Sequence, residues 1–131
     1  METITINAKE YTPKIVLNPN LGLIEMEGQS FPENSTAFYQ PIIDWFKEYA
    51  ISPKKETTVN IRFTYYNTSS AKKLNELILI IVKIKETNPT YHLYINWFYE
   101  KGDEDMHISG KDFSKLVNYP FKYIETKLKS L

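Results

Sequence analysis

Apolar residues recur in two periods along the chain, and the switches between them outline the elements. Thr3 to Ile6, Lys14 to Leu17 and Leu21 to Glu27 are short runs rich in Ile, Val and Leu. They read as strands, with Asn18-Pro19-Asn20 as the turn of a hairpin between the last two. Gly28 closes that pattern. Beyond it, Phe31-Pro32-Glu33-Asn34-Ser35 leads into Phe38, Ile42, Trp45, Phe46 and Tyr49. That spacing gathers the large apolar groups on one face of a helix, with Asn34 or Ser35 as its N-cap. Pro41 falls inside the stretch; it lacks a backbone donor and crowds the preceding turn, so it either kinks the helix or delays its start to near Gln40.

After the loop Ser52-Pro53-Lys54-Lys55-Glu56, the segment Thr57 to Tyr66 alternates, with Val59, Ile61, Phe63 and Tyr65 on one side. Its β-branched and aromatic content predicts a central strand. Asn67-Thr68-Ser69-Ser70 follows directly, a run of cap-forming residues that opens a second helix over about Ser70 to Glu86. Leu74, Leu77, Ile78, Ile81 and Val82 recur there at helical spacing, and Asn88-Pro89 stops it. Tyr91 to Tyr99 is a further aromatic strand, Lys101 to Asp105 a charged turn, Asp103 to Val117 a weaker helix, and Phe121 to Ile124 a last short strand. Strands joined by single crossover helices pair in parallel with the helices packed on the sheet. The expectation is therefore an α/β fold over residues 1–131: one domain, a mixed and mostly parallel sheet with an N-terminal antiparallel hairpin, and about three helices.

Composition narrows the function classes. Apolar residues make up 42% and charged residues 24% of 131 positions, ordinary values for a globular chain. Sixteen basic residues balance sixteen acidic ones, so no overall positive field draws the protein to nucleic acid or to anionic lipid. The longest apolar run, Leu77 to Val82, is far shorter than the roughly 20 residues a spanning helix needs, which argues against membrane insertion. There is no cysteine, which removes disulfides and thiolate chemistry together and fits a reducing compartment, so a cytoplasmic location is expected. Aromatic content is high at 15%, with ten tyrosines; this is compatible with a binding surface without locating one.

Catalytic constellations do not assemble from these residues. His92 and His107 lack metal-ligating partners at useful spacing. Gly22, Gly28, Gly102 and Gly110 are too scattered for a nucleophile elbow or a phosphate-cradling loop. Asp103-Glu104-Asp105, beside Lys101, suits a solvated turn or helix start better than a hard-cation site. No cofactor and no enzymatic activity are expected.

The most informative stretch is Tyr65-Tyr66-Asn67-Thr68-Ser69-Ser70, where a central strand meets a helix N-terminus. The first N–H groups of a helix lack internal partners and carry partial positive charge, so phosphate is stabilised there. Phosphorylation of Thr68 adds nearly two negative charges at one surface point. From residue types alone, simple capping by Asn67, Thr68 and Ser69 is the plainer reading, and capping and switching are compatible.

Gly28-Gln29-Ser30-Phe31-Pro32-Glu33-Asn34-Ser35 together with Tyr66-Asn67-Thr68-Ser69-Ser70 resembles the paired signature of the SiaC family. The two motifs stand in order before the first and second helices, and the likeness extends loosely along the chain to Tyr119-Pro120-Phe121. The resemblance implies a fold similar to STAS domains, the anti-sigma-factor antagonist class. It also implies that Thr68 is modified by a dedicated protein kinase and restored by a PP2C-type phosphatase. The unmodified form is then expected to bind an effector, in some members a diguanylate cyclase whose cyclic-di-GMP synthesis it promotes. Phe31, Glu33, Asn34, Ser35, Asn67, Thr68, Ser69 and Ser70 are the residues expected at the partner surface. The family usually has Tyr where this chain has Phe31, and Leu where it has Tyr65 or Tyr66; these changes alter hydroxyls at a contact surface and leave the phosphosite intact. Two other readings stand beside this one: a constitutive adaptor assembling through Tyr91 to Tyr99, and a small enzyme with its site at the strand C-terminal ends.

Overall fold

The computed structural model describes residues 1–127. Within them the elements run β1 (Ile4–Ile6), β2 (Lys14–Asn18), β3 (Leu23–Ser30), α1 (Ser35–Ile51), β4 (Glu56–Tyr66), α2 (Thr68–Thr87), β5 (His92–Glu100), α3 (Glu104–Val117) and β6 (Lys122–Thr126). The six strands form one sheet in chain order. β1, β2 and β3 pair antiparallel, and β3 through β6 pair parallel. The antiparallel turn is local chemistry: Asn18 Oδ1 accepts the N–H groups of Asn20 and Leu21 at 3.1 Å each, which reverses the chain within a few residues. Each parallel junction is bridged by a helix, as a crossover requires. α1 packs on α2 and α2 on α3, so the helices form one layer over one face of the sheet.

The core lies between that layer and the sheet. Ile24, Val59 and Ile95 stand in register on three adjacent strands and are buried with Ile61 and Trp97 beneath Tyr39, Phe46, Leu77 and Ile81. The opposite face is polar at its centre. Glu25, Asn60 and Asn96 are also in register; Asn96 Nδ2 donates to Asn60 Oδ1 at 2.8 Å and Asn60 Nδ2 to Glu25 Oε2 at 3.3 Å.

Three local expectations are corrected. Gly28 does not end its strand: β3 continues to Ser30, and Gly28 holds a positive φ of 112° beside a register shift in the β3–β4 ladder. Gly28 pairs Phe63 but Gln29 pairs Tyr65, so Thr64 is an extra residue in β4. The bulge inverts the alternation, as one inserted residue must. Tyr65, expected on the side of Phe63, is 51% exposed, and Tyr66 turns inward against Phe63 and Phe113. Pro41, finally, does not delay α1 to near Gln40. The helix runs unbroken from Ser35 with Pro41 on its solvent side, where the Ala37 carbonyl that loses its donor is left to water.

Candidate functional site

β3 and β4 are neighbouring parallel strands, so their C-terminal ends deliver two turns side by side. Ser30 pairs Tyr66 at the end of the ladder, and the Asn67 N–H donates to the Ser30 carbonyl at 3.0 Å. From these points the chain enters α1 and α2 through equivalent caps. Asn34 Oδ1 accepts from the Ala37 N–H at 3.0 Å, and Asn67 Oδ1 accepts from the Ser70 N–H at 2.9 Å. Asparagine suits both positions because its short side chain reaches the free donors of the first turn. α2 thus starts at Thr68, earlier than its apolar spacing suggests, and the capping is done by Asn67. Thr68 occupies the first helical position, exposed and relieved of the cap.

Hydroxyls tie the two entrances together. Ser35 Oγ and Ser69 Oγ lie 2.6 Å apart, and Ser69 Oγ donates to Asn67 Oδ1 at 3.2 Å. Beneath them Ser30 Oγ donates to Ser70 Oγ at 2.8 Å and lies 2.5 Å from the Tyr39 hydroxyl. Ser30, Tyr39 and Ser70 are at most 1% exposed. Burial pushes the Tyr39 phenol above its ordinary range, with the two serine hydroxyls pulling the other way. The phenol therefore stays protonated at neutral pH and serves as a donor within the network.

Of the residues expected at a partner surface, Glu33, Asn34, Thr68 and Ser69 are exposed, and Phe31 and Asn67 half-buried. Ser70 is a correction: at 1% exposure its hydroxyl is spent inside the protein, and it has no surface to offer a partner. Ser35, 8% exposed, is nearly buried and bridges to Ser69. Two hollows flank these turns, with Ser69 on the first and Thr68 on the second. Glu33, Asn34, Ser35, Thr36, Ser69, Lys72 and Lys73 line an open cleft of about 790 Å³ between the starts of α1 and α2. Thr68 instead faces a groove of about 290 Å³ between α2 and α3, bounded by Tyr66, Ala71, Lys72, Asp112 and Phe113. Burial raises the Tyr66 phenol pKa and the nearby Asp112 charge adds to it, against a hydrogen bond from Ser109.

Sequence reasoning missed several neighbours. Tyr11, from the β1–β2 loop, packs edge-on against Phe31 at 5.1 Å, and Phe31 packs against Tyr65 at 5.6 Å. Tyr11 and Tyr65 are both about half exposed, so the three rings form an aromatic patch beside the first turn. Nothing near Tyr11 in sequence marks it; only the path of the chain brings it there. Lys72 was legible as the residue four after Thr68 on a helix. The histidines lie elsewhere: His92 is exposed at the start of β5, and the His107 ring stacks on Tyr99 at 4.2 Å. Among the described residues no helix is long and apolar enough to cross a membrane.

Comparison with known proteins bears on the family and the fold. The model of the SiaC family of regulatory phosphoproteins matches residues 6–126. A protein of Pseudomonas aeruginosa strain UCBPP-PA14, itself uncharacterised, is 25% identical over 121 residues, covering 92% of this chain and 94% of that protein. The fold is that of apo-SiaC from Pseudomonas aeruginosa, with a TM-score of 0.85 at 22% identity over 95% of this chain and 99% of that one. It is equally that of SiaC solved in complex with the diguanylate cyclase SiaD, which SiaC activates, with a TM-score of 0.86 at 23% identity over 94% and 99% of the two chains. With the family model spanning all but the two ends of the sequence, this chain belongs to the SiaC family of regulatory phosphoproteins.

Proposed function

We propose that this protein is a phosphorylation-controlled binding module of bacterial signalling, with Thr68 as the switch. In the unmodified state it binds and regulates an effector; a protein kinase acting on Thr68 breaks that contact and a PP2C-type phosphatase restores it. The effector class is a diguanylate cyclase, by likeness to the SiaC that is bound to SiaD. The protein acts in the cytoplasm and is not itself an enzyme. One observation carries the reading: Thr68 is exposed at the first position of α2 while its neighbour Asn67 makes the cap, so the hydroxyl is open to a kinase without loss of the helix start. The partner surface comprises Phe31, Glu33, Asn34, Asn67, Thr68 and Ser69, with Ser35 supporting Ser69 from beneath. A dianion on Thr68 opposes docking by charge and by the cost of desolvating it.

The test begins with intact-mass and fragment mass spectrometry of the protein purified from its native host, with and without phosphatase treatment. A single phosphate mapped to Thr68 is expected. Binding to the host's diguanylate cyclases is then compared across variants. Thr68→Glu should weaken capture at least about tenfold, while Thr68→Ala binds as the native chain does. Equal binding by all three forms would favour a constitutive adaptor, and absence of phosphate under every growth condition would remove the switch.

A further inference from the structure

We infer that Lys72 is the intramolecular partner of a phosphate on Thr68, holding it against α2 at the rim of the groove between α2 and α3. The inference rests on the reading of Thr68 as a phosphosite and concerns what the chain itself does once that group is in place.

Lys72 stands four residues after Thr68, a spacing that sets two helical side chains on one face with Cβ atoms about 5–6 Å apart. Both residues border the same groove, with Asp112 of α3 on its other side. Lys72 also borders the cleft on the far side of the first turn, together with Glu33. Its ammonium therefore serves two rims, yet it is exposed and in neither place within ion-pair distance of an acid among the described residues. The single ion pair among those residues is Lys73 with Glu76 at 3.9 Å, so the neighbouring lysine is already engaged along the helix.

The charge pattern of α2 points the same way. Its first turn, Thr68-Ser69-Ser70, carries no acid and is followed closely by Lys72 and Lys73, so positive side chains crowd the positive end of the helix. α3, in contrast, opens with Glu104 and Asp105. The start of α2 lacks the negative charge that helix beginnings favour, and a phosphate on Thr68 supplies it. Asp112 repels that phosphate from the α3 side, Glu33 lies across the turn, and Tyr66 and Ser109 nearby are neutral, which leaves Lys72 as the cation lining the groove among the described residues. Pairing with the phosphate also draws the ammonium away from the Glu33 cleft. One modification thus changes the charge of both hollows, the one beside Thr68 and the one beside the Glu33-Asn34-Ser35 entrance.

The experiment uses the full chain with phosphothreonine installed at position 68 by genetic encoding, titrated by phosphorus NMR in the native background and in Lys72→Gln and Lys73→Gln. The second phosphate pKa is expected to be about half a pH unit lower in the native chain than in Lys72→Gln. Lys73→Gln should leave it within about 0.2 unit, and molar salt should shrink the Lys72 difference. An unchanged pKa in Lys72→Gln, or an equal change in Lys73→Gln, overturns the assignment. The two readings fail separately: mass spectrometry of the native protein decides whether cells phosphorylate Thr68, and this titration decides what holds the phosphate once it is there.

Discussion

Within the first turn of α2, adjacent residues of nearly the same chemistry do different things. Asn67 caps, Thr68 faces out, Ser69 bridges to Ser35, and Ser70 closes a buried network with Ser30 and Tyr39. Substitutions should separate these roles in equilibrium urea denaturation. Asn67→Ala loses the cap and is expected to cost about 1 kcal/mol. Thr68→Ala should fall within about 0.5 kcal/mol of the native chain, as exposed substitutions do. Ser70→Ala leaves the buried Ser30 hydroxyl without its acceptor and is expected to cost about 1–3 kcal/mol. A cost for Thr68→Ala matching that of Asn67→Ala would make Thr68 the cap and weaken its assignment as a free switch. The run of cap-forming residues was plain in the sequence, but the share of each was not, because four such residues in a row permit several cap registers. The choice is made by β3, whose Ser30 carbonyl binds the Asn67 N–H.

At the scale of elements, a close constraint lies between α3 and β5. Gly110 is a mid-helix residue, where glycine costs about 1 kcal/mol relative to alanine in the absence of contacts. Its reason lies in packing: a Cβ there would sit 2.5 Å from Trp97 Cδ1, in a site where Trp97 Nε1–H also donates to the Met106 carbonyl at 2.9 Å. Gly110→Ala should therefore destabilise by about 1–3 kcal/mol despite its better helix propensity, with a change in tryptophan emission. A neutral or stabilising result would show that α3 can lift off the sheet at no cost. The bulge at Thr64 is the other element-scale decision. Strict alternation in β4 placed Tyr65 with Phe63, and nothing in the residues between them announces the extra position. It arises in the pairing with β3, and it delivers Tyr65 to the aromatic patch and Tyr66 to the groove beside Thr68.

Over the whole molecule, the tyrosine-rich composition sets a limit at alkaline pH. Burial raises the phenol pKa values of Tyr39, Tyr66, Tyr91 and Tyr119 above their usual value near 10. These phenols are neutral when protonated, and the unfolded chain ionises them first. Their contribution is therefore complete below about pH 10 and is lost as pH rises through the folded-state values. The thermal midpoint should fall above about pH 10 in step with tyrosinate absorbance, and Tyr66→Phe should blunt the fall. A midpoint that holds steady to about pH 11 would contradict this. The sequence by itself determined the alternation of strands and helices, hence the parallel sheet with its antiparallel edge, because periodicity and turn residues are local properties of the chain. It also marked Thr68, since a hydroxyl at a strand-to-helix junction is a local feature. Which hydroxyls are buried, which hollow Thr68 faces, and that Tyr11, Phe31 and Tyr65 meet were decided only by the tertiary structure. Those outcomes depend on strand register and on side chains distant in sequence sharing one edge of the sheet, and no local pattern encodes such pairings.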